Sequence, residues 1–332
     1  MKEVAVVILN YNGEKFLRDF LGNVVQNSPE ADIYIIDNAS VDGSLTFVSD
    51  NFNDVKIIRL KENLGFAGGY NQGLKDVPNP YFLLLNSDVE VTPGWLVPLI
   101  SRIKSEDKVA AVQPKILDFY KKDTFEYAGA AGGFLDIFGY AFCRGRVFET
   151  LEKDLGQYED ATEIFWATGA CFLVKSDVFM SFGGFDGRFF AHMEEIDLCW
   201  RINNAGLKIF YEPKSAVFHV GGGTLHKSNP FKTFLNYRNN LAMMFKNLPG
   251  KYLFPIIIFR MILDGISALK FLKEGSFKDI WAIIRAHFAF YSWIPYLLKN
   301  RSKTFFAYPS LLKKSVVFEY FAKSKKTCKE IC

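Results

Sequence analysis

The stretch Val4-Ala5-Val6-Val7-Ile8-Leu9, followed at once by Asn10-Tyr11-Asn12-Gly13, decides the fold. A continuous apolar run with no polar alternation is a strand buried on both faces, and the polar cluster ends it in a turn. The run is too short for the apolar core of a signal peptide, and no small-residue cleavage site follows it. The same pattern recurs outward. Glu14–Asn27 has helical spacing, with Phe16, Leu17, Phe20, Leu21 and Val24 on one side. Asp32–Ile36 predicts a second strand running into Asp37-Asn38. A helix over Ser44–Asn51 and a third strand over Val55–Leu60 follow. Gly69–Lys75 predicts a helix after a Gly-rich turn, and Tyr81–Leu85 a fourth strand running into Asn86-Ser87-Asp88. Strand–helix alternation with uniformly apolar strands predicts an α/β fold, a mostly parallel sheet with helices on both faces.

Asn10, Asp37 and Asp88 each stand at or just beyond a strand end. In an open parallel sheet those ends line one crevice, where ligands bind. A single such residue is ordinary turn chemistry, but three at three strand ends predict a shared site. Asp88, held rigidly, is suited to ligate Mg²⁺ or Mn²⁺ bridging a diphosphate. Asp37 is placed to accept hydrogen bonds from a base or a ribose. Gly65, Gly68 and Gly69 would admit a nucleotide close to the backbone.

Farther along, Ala167–Val174 predicts a buried strand, Gly183-Gly184-Phe185-Asp186 a turn, and Glu194–Ala205 a helix stopped by Gly206. Ile209–Tyr211 and Ala216–His219 predict two short strands, and Gly221-Gly222-Gly223 a mobile loop. Glu194, Glu195 and Asp197 open the helix. Acids are favoured there by the helix dipole, and Asp197 can pair with Arg201 one turn on. Glu194 and Asp197 share a face and Glu195 points elsewhere, so at most one or two of the three reach a common cleft as a general base. His219, ahead of the glycines, is a candidate metal ligand.

The net charge of +4 conceals an asymmetry. Residues 1–235 hold 23 Lys/Arg and 31 Asp/Glu, or −8, and residues 236–332 hold 17 and 5, or +12. A basic segment with long apolar runs favours an anionic membrane surface over nucleic acid. Tyr252–Leu272 is apolar but broken by Arg260, Asp264 and Lys270, with Arg260 and Asp264 spaced to pair on one helix face. Phe277–Leu298 sets Trp281, Phe288, Phe290, Tyr291 and Trp293 beside Lys278, Arg285 and His287. Both predict helices lying in a membrane interface; packing on the body and true spans are the alternatives. Five cysteines with no CxxC pair argue against a disulfide scaffold or a zinc ribbon and for a reducing, cytoplasmic setting.

Four motifs then carry a resemblance. They are Val6-Val7-Ile8-Leu9-Asn10-Tyr11-Asn12-Gly13, Ile36-Asp37-Asn38-Ala39-Ser40-Val41-Asp42-Gly43-Ser44, Asn63-Leu64-Gly65-Phe66-Ala67-Gly68-Gly69-Tyr70-Asn71-Gln72-Gly73 and Leu85-Asn86-Ser87-Asp88. In this order they resemble glycosyltransferase family 2, in its bacterial rhamnosyltransferase-like branch. The similarity continues through Trp166-Ala167-Thr168-Gly169-Ala170 and the Phe185–Arg201 block to His219, about residues 3–240.

The resemblance implies a GT-A fold, a nucleotide-diphosphate sugar donor (dTDP- or UDP-linked), a divalent metal and inversion at the anomeric carbon. It implies that Asn10 and Tyr11 border the nucleotide, Asp37 contacts the base, and Asn63 and Asn71 lie near the nucleotide-sugar. Asn86-Ser87-Asp88 stands where the family has Asp-x-Asp, so Asp88 would hold the metal, with His219 as a second ligand. The base position holds Glu195 where Asp is usual, with Asp197 as the fallback. Residues 1–115 would be the nucleotide-sugar-binding half, 116–240 the acceptor-binding half, and 241–332 a basic helical extension. The implied function is sugar transfer to a glycan or lipid-linked acceptor, on the inner face of the cell membrane. The alternative is a non-catalytic, membrane-associated nucleotide-sugar binder. A sugar-1-phosphate nucleotidyltransferase would need a basic Gly-rich loop after the first strand, and a nicotinamide dehydrogenase GxGxxG; neither is there.

Overall fold

The computed structural model describes residues 2–221, 229–305, 308 and 310–332. The triple-glycine loop beyond Gly221 thus lies outside the described residues. The first part follows the predicted alternation: β1 (Val4–Asn10), α1 (Glu14–Asn27), β2 (Ala31–Asp37), α2 (Ser44–Asn51), β3 (Lys56–Arg59), α3 (Gly65–Gly73) and β4 (Tyr81–Leu85). β1 lies between β2 and β4, and β3 pairs beyond β2, all parallel. Helix α3 starts at Gly65 rather than Gly69. Its glycines act as packing residues: a Cβ at Gly69 would stand 2.7 Å from Leu9 Cδ1, and one at Gly73 2.5 Å from Ile36 Cδ1. That corrects the expectation of a nucleotide lying against Gly69.

Next come β5 (Val89–Val91), α4 (Leu96–Ile103), β6 (Val109–Asp118), β7 (Gly133–Asp136), β8 (Ala141–Cys143), β9 (Arg146–Val147) and β10 (Thr150–Leu151). Then follow β11 (Thr162–Ile164), β12 (Cys171–Lys175), α5 (Ser176–Ser181), α6 (Glu194–Asn204) and β13 (Lys208–His219). The main sheet runs β11-β13-β6-β12-β4-β1-β2-β3, with β5 on β13. Its first half is parallel as predicted. Its second half is mixed, because β12 runs antiparallel to both β4 and β6. A strand buried on both faces has the same composition in either direction, so its apolar run cannot report orientation. The two short strands predicted around residue 213 are one strand. Its register slips between Glu212 and Ala216, around Pro213, which has no N–H to donate.

The chain closes with α7 (Pro230–Asn247), α8 (Gly250–Lys273), α9 (Phe277–Lys299), β14 (Leu311–Leu312), α10 (Val316–Phe321) and α11 (Cys328–Ile331). β14 pairs with β7 and joins β8, β9 and β10 in a smaller sheet. Residues of β1 alternate between two cores. Val4, Val6 and Ile8 face one with α1 and α4, and Ala5 and Val7 face the other with α3 and α6. The second core continues without a break into Ile257, Phe290 and Leu297 of α8 and α9.

One buried polar cluster ties these layers together. Lys246 Nζ on α7 meets Asp186 Oδ2 at 2.7 Å and Asp197 Oδ2 at 2.9 Å. Arg201 Nε donates to Asp197 Oδ2 at 2.9 Å, Asn247 to its Oδ1 at 2.8 Å, and Tyr296 OH on α9 to Asp186 Oδ1 at 3.0 Å. Removing one partner from a buried ion cluster leaves uncompensated charge. Lys246→Met is therefore expected to lower unfolding free energy by about 3–5 kcal/mol, read from urea denaturation monitored by circular dichroism.

Candidate functional site

The carboxyl ends of β1, β2 and β4 lie side by side at one edge of the sheet, where the expected crevice would open. Asn10 and Asp37 are register partners and both are buried. Asn10 Nδ2 donates to Asp37 Oδ1 at 3.2 Å and to Ser40 Oγ at 3.1 Å, and Ser40 N donates to Asp37 Oδ2 at 3.1 Å. Asn10 Oδ1 is buried without a hydrogen-bond partner. Tyr11 is half exposed at the rim. Asn38, given no site role by the sequence, organises the next wall. Its Nδ2 donates to Asn63 Oδ1 (2.9 Å) and to the Gly65 carbonyl (3.1 Å), and its Oδ1 accepts from Leu64 N (2.9 Å). Gly65 has φ +70°, and a Cβ there would stand 2.9 Å from the Phe190 ring, so this wall meets the acidic segment directly.

Asn71 has a second partner across the chain. Its Nδ2 donates to the Phe185 carbonyl at 2.7 Å and its Oδ1 accepts from Phe185 N at 2.9 Å. Both ends of the amide thus clasp the Gly184-Phe185 turn.

Asp88, His219 and Asn86 come together at the floor. β5 pairs with β13 so that Val89 opposes His219. That register sets His219 Nε2 3.2 Å from Asp88 Oδ1 and 3.4 Å from Asn86 Nδ2. Glu126 Oε2 stands 3.5 Å from Nδ1 on the opposite edge of the ring, without an aligned hydrogen bond. Burial pulls the imidazole pKa down, but the Asp88 and Glu126 carboxylates override it and push it up to about 10. Burial likewise acts to raise Asp88, and the His219 ring outweighs it and holds the carboxyl below its ordinary value. A hard oxygen and an imidazole nitrogen side by side suit a divalent ion such as Mn²⁺, with Glu126 orienting the ring from behind. Among the described residues no three His, Cys, Asp or Glu side chains converge on one point, so solvent and ligand oxygens would complete such a shell.

The acidic segment is reached through a strained loop. Phe190, His192 and Met193 all have positive φ, at 65°, 69° and 73°, a conformation costing about 1–2 kcal/mol for each such residue. Asn239 of α7 holds it. Its Nδ2 lies 3.0, 2.9 and 2.8 Å from the carbonyls of Phe189, Ala191 and His192. The loop delivers Glu194 and Glu195 to the start of α6. Glu195 shares its helix face with Cys199, whose sulfur accepts from Ala167 N at 3.4 Å. The segment from Ala167 leads to Ala170, whose carbonyl accepts from Asn86 N at 2.9 Å. Glu195 therefore lies on the side of α6 that faces the segment beginning at Ala167.

One carboxylate oxygen of each of Glu194 and Glu195 is buried without a partner. Burial pushes Glu195 up to about 7, and burial with the Glu195 charge beside it raises Glu194 well above the usual carboxylate range. Asp197 differs. It is fully enclosed and paired to Lys246 and Arg201, which override the burial and hold it low. As a fallback base it is corrected to a structural anion with no access to the crevice.

The model of the family described as glycosyl transferase family 2 matches residues 5–183. The chain belongs to that family. The N-acetylglucosaminyl-diphospho-decaprenol L-rhamnosyltransferase of Mycobacterium tuberculosis is 25% identical over 233 residues, 64% of this chain and 75% of that protein. The O-antigen biosynthesis protein RfbC of Myxococcus xanthus is 24% identical over 65% of this chain, which spans only 17% of that protein. Among solved structures, GalNAc-T7 with UDP, GalNAc and Mn²⁺ superposes with a TM-score of 0.55 at 19% identity, over 74% of this chain and 48% of that one. The mannosyltransferase PcManGT of Pyrobaculum calidifontis, with GDP-Man and Mn²⁺, gives 0.53 at 14% identity, over 88% and 75%. The family and these likenesses establish the GT-A fold expected from the motifs.

Asn38→Ala removes three hydrogen bonds from the wall that carries Asn63 and Gly65. It is expected to cost about 2–4 kcal/mol of stability and to speed hydrogen exchange at the Leu64 and Gly65 amides, measured by denaturation and by exchange mass spectrometry.

Proposed function

We propose that the protein is an inverting glycosyltransferase. It moves a sugar from a nucleotide-diphosphate donor to a hydroxyl of a glycan or lipid-linked acceptor in cell-surface polysaccharide synthesis. Glu195 carries the reading: a carboxylate tuned to about 7, with an unpartnered oxygen, on the side of α6 that faces the segment beginning at Ala167. A base is most effective when its pKa lies near the working pH. Glu195 takes the proton of the acceptor hydroxyl as that oxygen attacks the anomeric carbon. Asn10, Tyr11, Asp37, Asn63, Gly65 and Asn86 border the donor, whose base and ribose lie toward Asp37. Asp88 and His219 would hold Mg²⁺ or Mn²⁺, which when bound neutralises charge on the leaving nucleoside diphosphate. The mycobacterial relative's name supports rhamnose, as dTDP-rhamnose, and a diphospho-lipid acceptor; a UDP-sugar is the other donor class to assay.

Transfer of label from a panel of nucleotide sugars tests this. Glu195→Gln is expected to lower kcat by about 10²–10⁴-fold with the melting temperature retained. Asp88→Ala, or EDTA treatment of the wild type, is expected to abolish transfer, and Mn²⁺ restores only the wild type. Because the base works deprotonated, kcat/KM rises with pH through about 7 and falls away below it. Full activity of either variant overturns the assigned role.

The C-terminal helices support a peripheral seat on the cytoplasmic leaflet. Helix α8 is long and apolar enough to cross a membrane by length and composition, yet its polarity is inverted. Arg260 and Asp264 pair at 2.8 Å facing the body, where Arg260 lies 4.0 Å over the Tyr140 ring and His287 meets Asp264 at 3.1 Å. Phe254, Ile258, Ile262, Ile266 and Leu269 form an exposed stripe. A groove of about 600 Å³ between α8 and α9 is lined by Phe254, Ile258, Phe290 and Tyr291. Apolar-out, charge-in helices beside Lys251, Lys270, Lys273 and Lys278 suit an anionic interface. The full chain is expected to float with phosphatidylglycerol vesicles and to be released by salt. The double variant Ile258→Glu, Ile262→Glu is expected to stay in solution, and flotation equal to wild type would refute the docking face.

A further inference from the structure

Two arginines lie between the acidic loop and the apolar outer surface. Arg238 of α7 and Arg285 of α9 flank the ring of Phe234, with guanidinium carbons 4.9 and 5.3 Å from its centroid. Arg238 also lies 4.2 Å over Trp293, and it donates to Asn239 Oδ1 (2.9 Å) and to the Phe189 carbonyl (3.3 Å). Arg102, Arg201 and Arg260 each meet a carboxylate. Among the described residues no carboxylate is paired with Arg238 or Arg285, and burial alone acts on the Arg238 charge. Arg238 is half-buried, and that burial lowers its pKa to about 10. A partly desolvated cation with no counter-ion is electrostatically incomplete.

The placement is directional. On one side, Arg238 and its neighbour Asn239 bond the carbonyls of the loop that leads to Glu195. On the other, Arg285 is exposed on α9 between Trp281 and Phe288, which share its helix face and are themselves exposed. Guanidinium forks held over aromatic rings match phosphate oxygens in pairs. We infer that Arg238 and Arg285 form the subsite for the phosphate of a lipid-linked acceptor. The order hydroxyl, phosphate, lipid chain then follows the order Glu195, arginine pair, apolar face of α8 and α9. The inference rests on the transferase reading for the place of the hydroxyl, but its test needs no turnover.

The probes are farnesyl diphosphate and farnesol, added to the full-length protein in neutral detergent with EDTA and followed by tryptophan fluorescence and thermal shift. The wild type is expected to prefer the diphosphate at least tenfold. Arg285→Gln and Arg238→Gln each are expected to weaken diphosphate binding about tenfold, and the double variant to bind both probes alike. Lys299→Gln, another exposed cation on α9, is the control and keeps the preference. Arg285 is exposed, so its variant remains decisive if Arg238→Gln fails to fold. Equal wild-type affinity for the two probes, or arginine variants that keep the preference, overturns the inference. A second arm measures flotation with phosphatidylglycerol vesicles. Variants that lose flotation but keep diphosphate affinity would assign the arginines to bilayer headgroups and overturn it as well. A wild type that binds the diphosphate but transfers no sugar would count against the transferase reading alone.

Discussion

The contact of Lys246 with Asp186 and Asp197 is the constraint on which the rest of the molecule depends. It fastens three separate parts: the turn before the acidic loop, the first turn of α6, and the last turn of α7. Taking two carboxylates and an ammonium out of water is costly, and such a cluster is stable only when each charge is paired and its remaining lone pairs are filled. Here Arg201, Asn247 and Tyr296 do the filling. The cluster thereby welds the C-terminal helices to the element that presents Glu195.

This weld explains how a strained loop persists. Three non-glycine residues with left-handed backbone within four positions would relax in isolation. Asn239 caps three of the loop's carbonyls, and Asn239 is placed by the same helix that carries Lys246. The apolar surface of α8 and the proposed base are thus parts of one packed body joined through α7 and the second core.

The opposite pKa shifts of Glu195 and Asp197, two carboxylates on one helix turn, follow from surroundings rather than from type. Asp197 has cations on two sides and is held low; Glu195, two positions earlier, has burial without a cation and is raised. Neighbouring helix positions point about 100° apart, so a two-residue step takes one acid into the ion cluster and leaves the other outside it.

The sequence by itself determined the parallel half of the sheet, the helices between its strands, and the clustering of Asn10, Asp37 and Asp88 at strand ends. Those features are local, since apolar periodicity and turn residues are set by a strand or helix alone. It also carried the Arg260–Asp264 and Asp197–Arg201 pairs, because helical spacing alone brings them together. Only the tertiary structure decided the antiparallel direction of β12, the roles of Asn38, Glu126 and Asn239, the clasp of Asn71 on the Phe185 turn, and the enclosure of Asp197. Each depends on partners 20 to 120 residues away in the chain, on the order of the separations that packing rather than periodicity brings together. A side chain's contacts across such gaps leave no trace in the pattern of its neighbours.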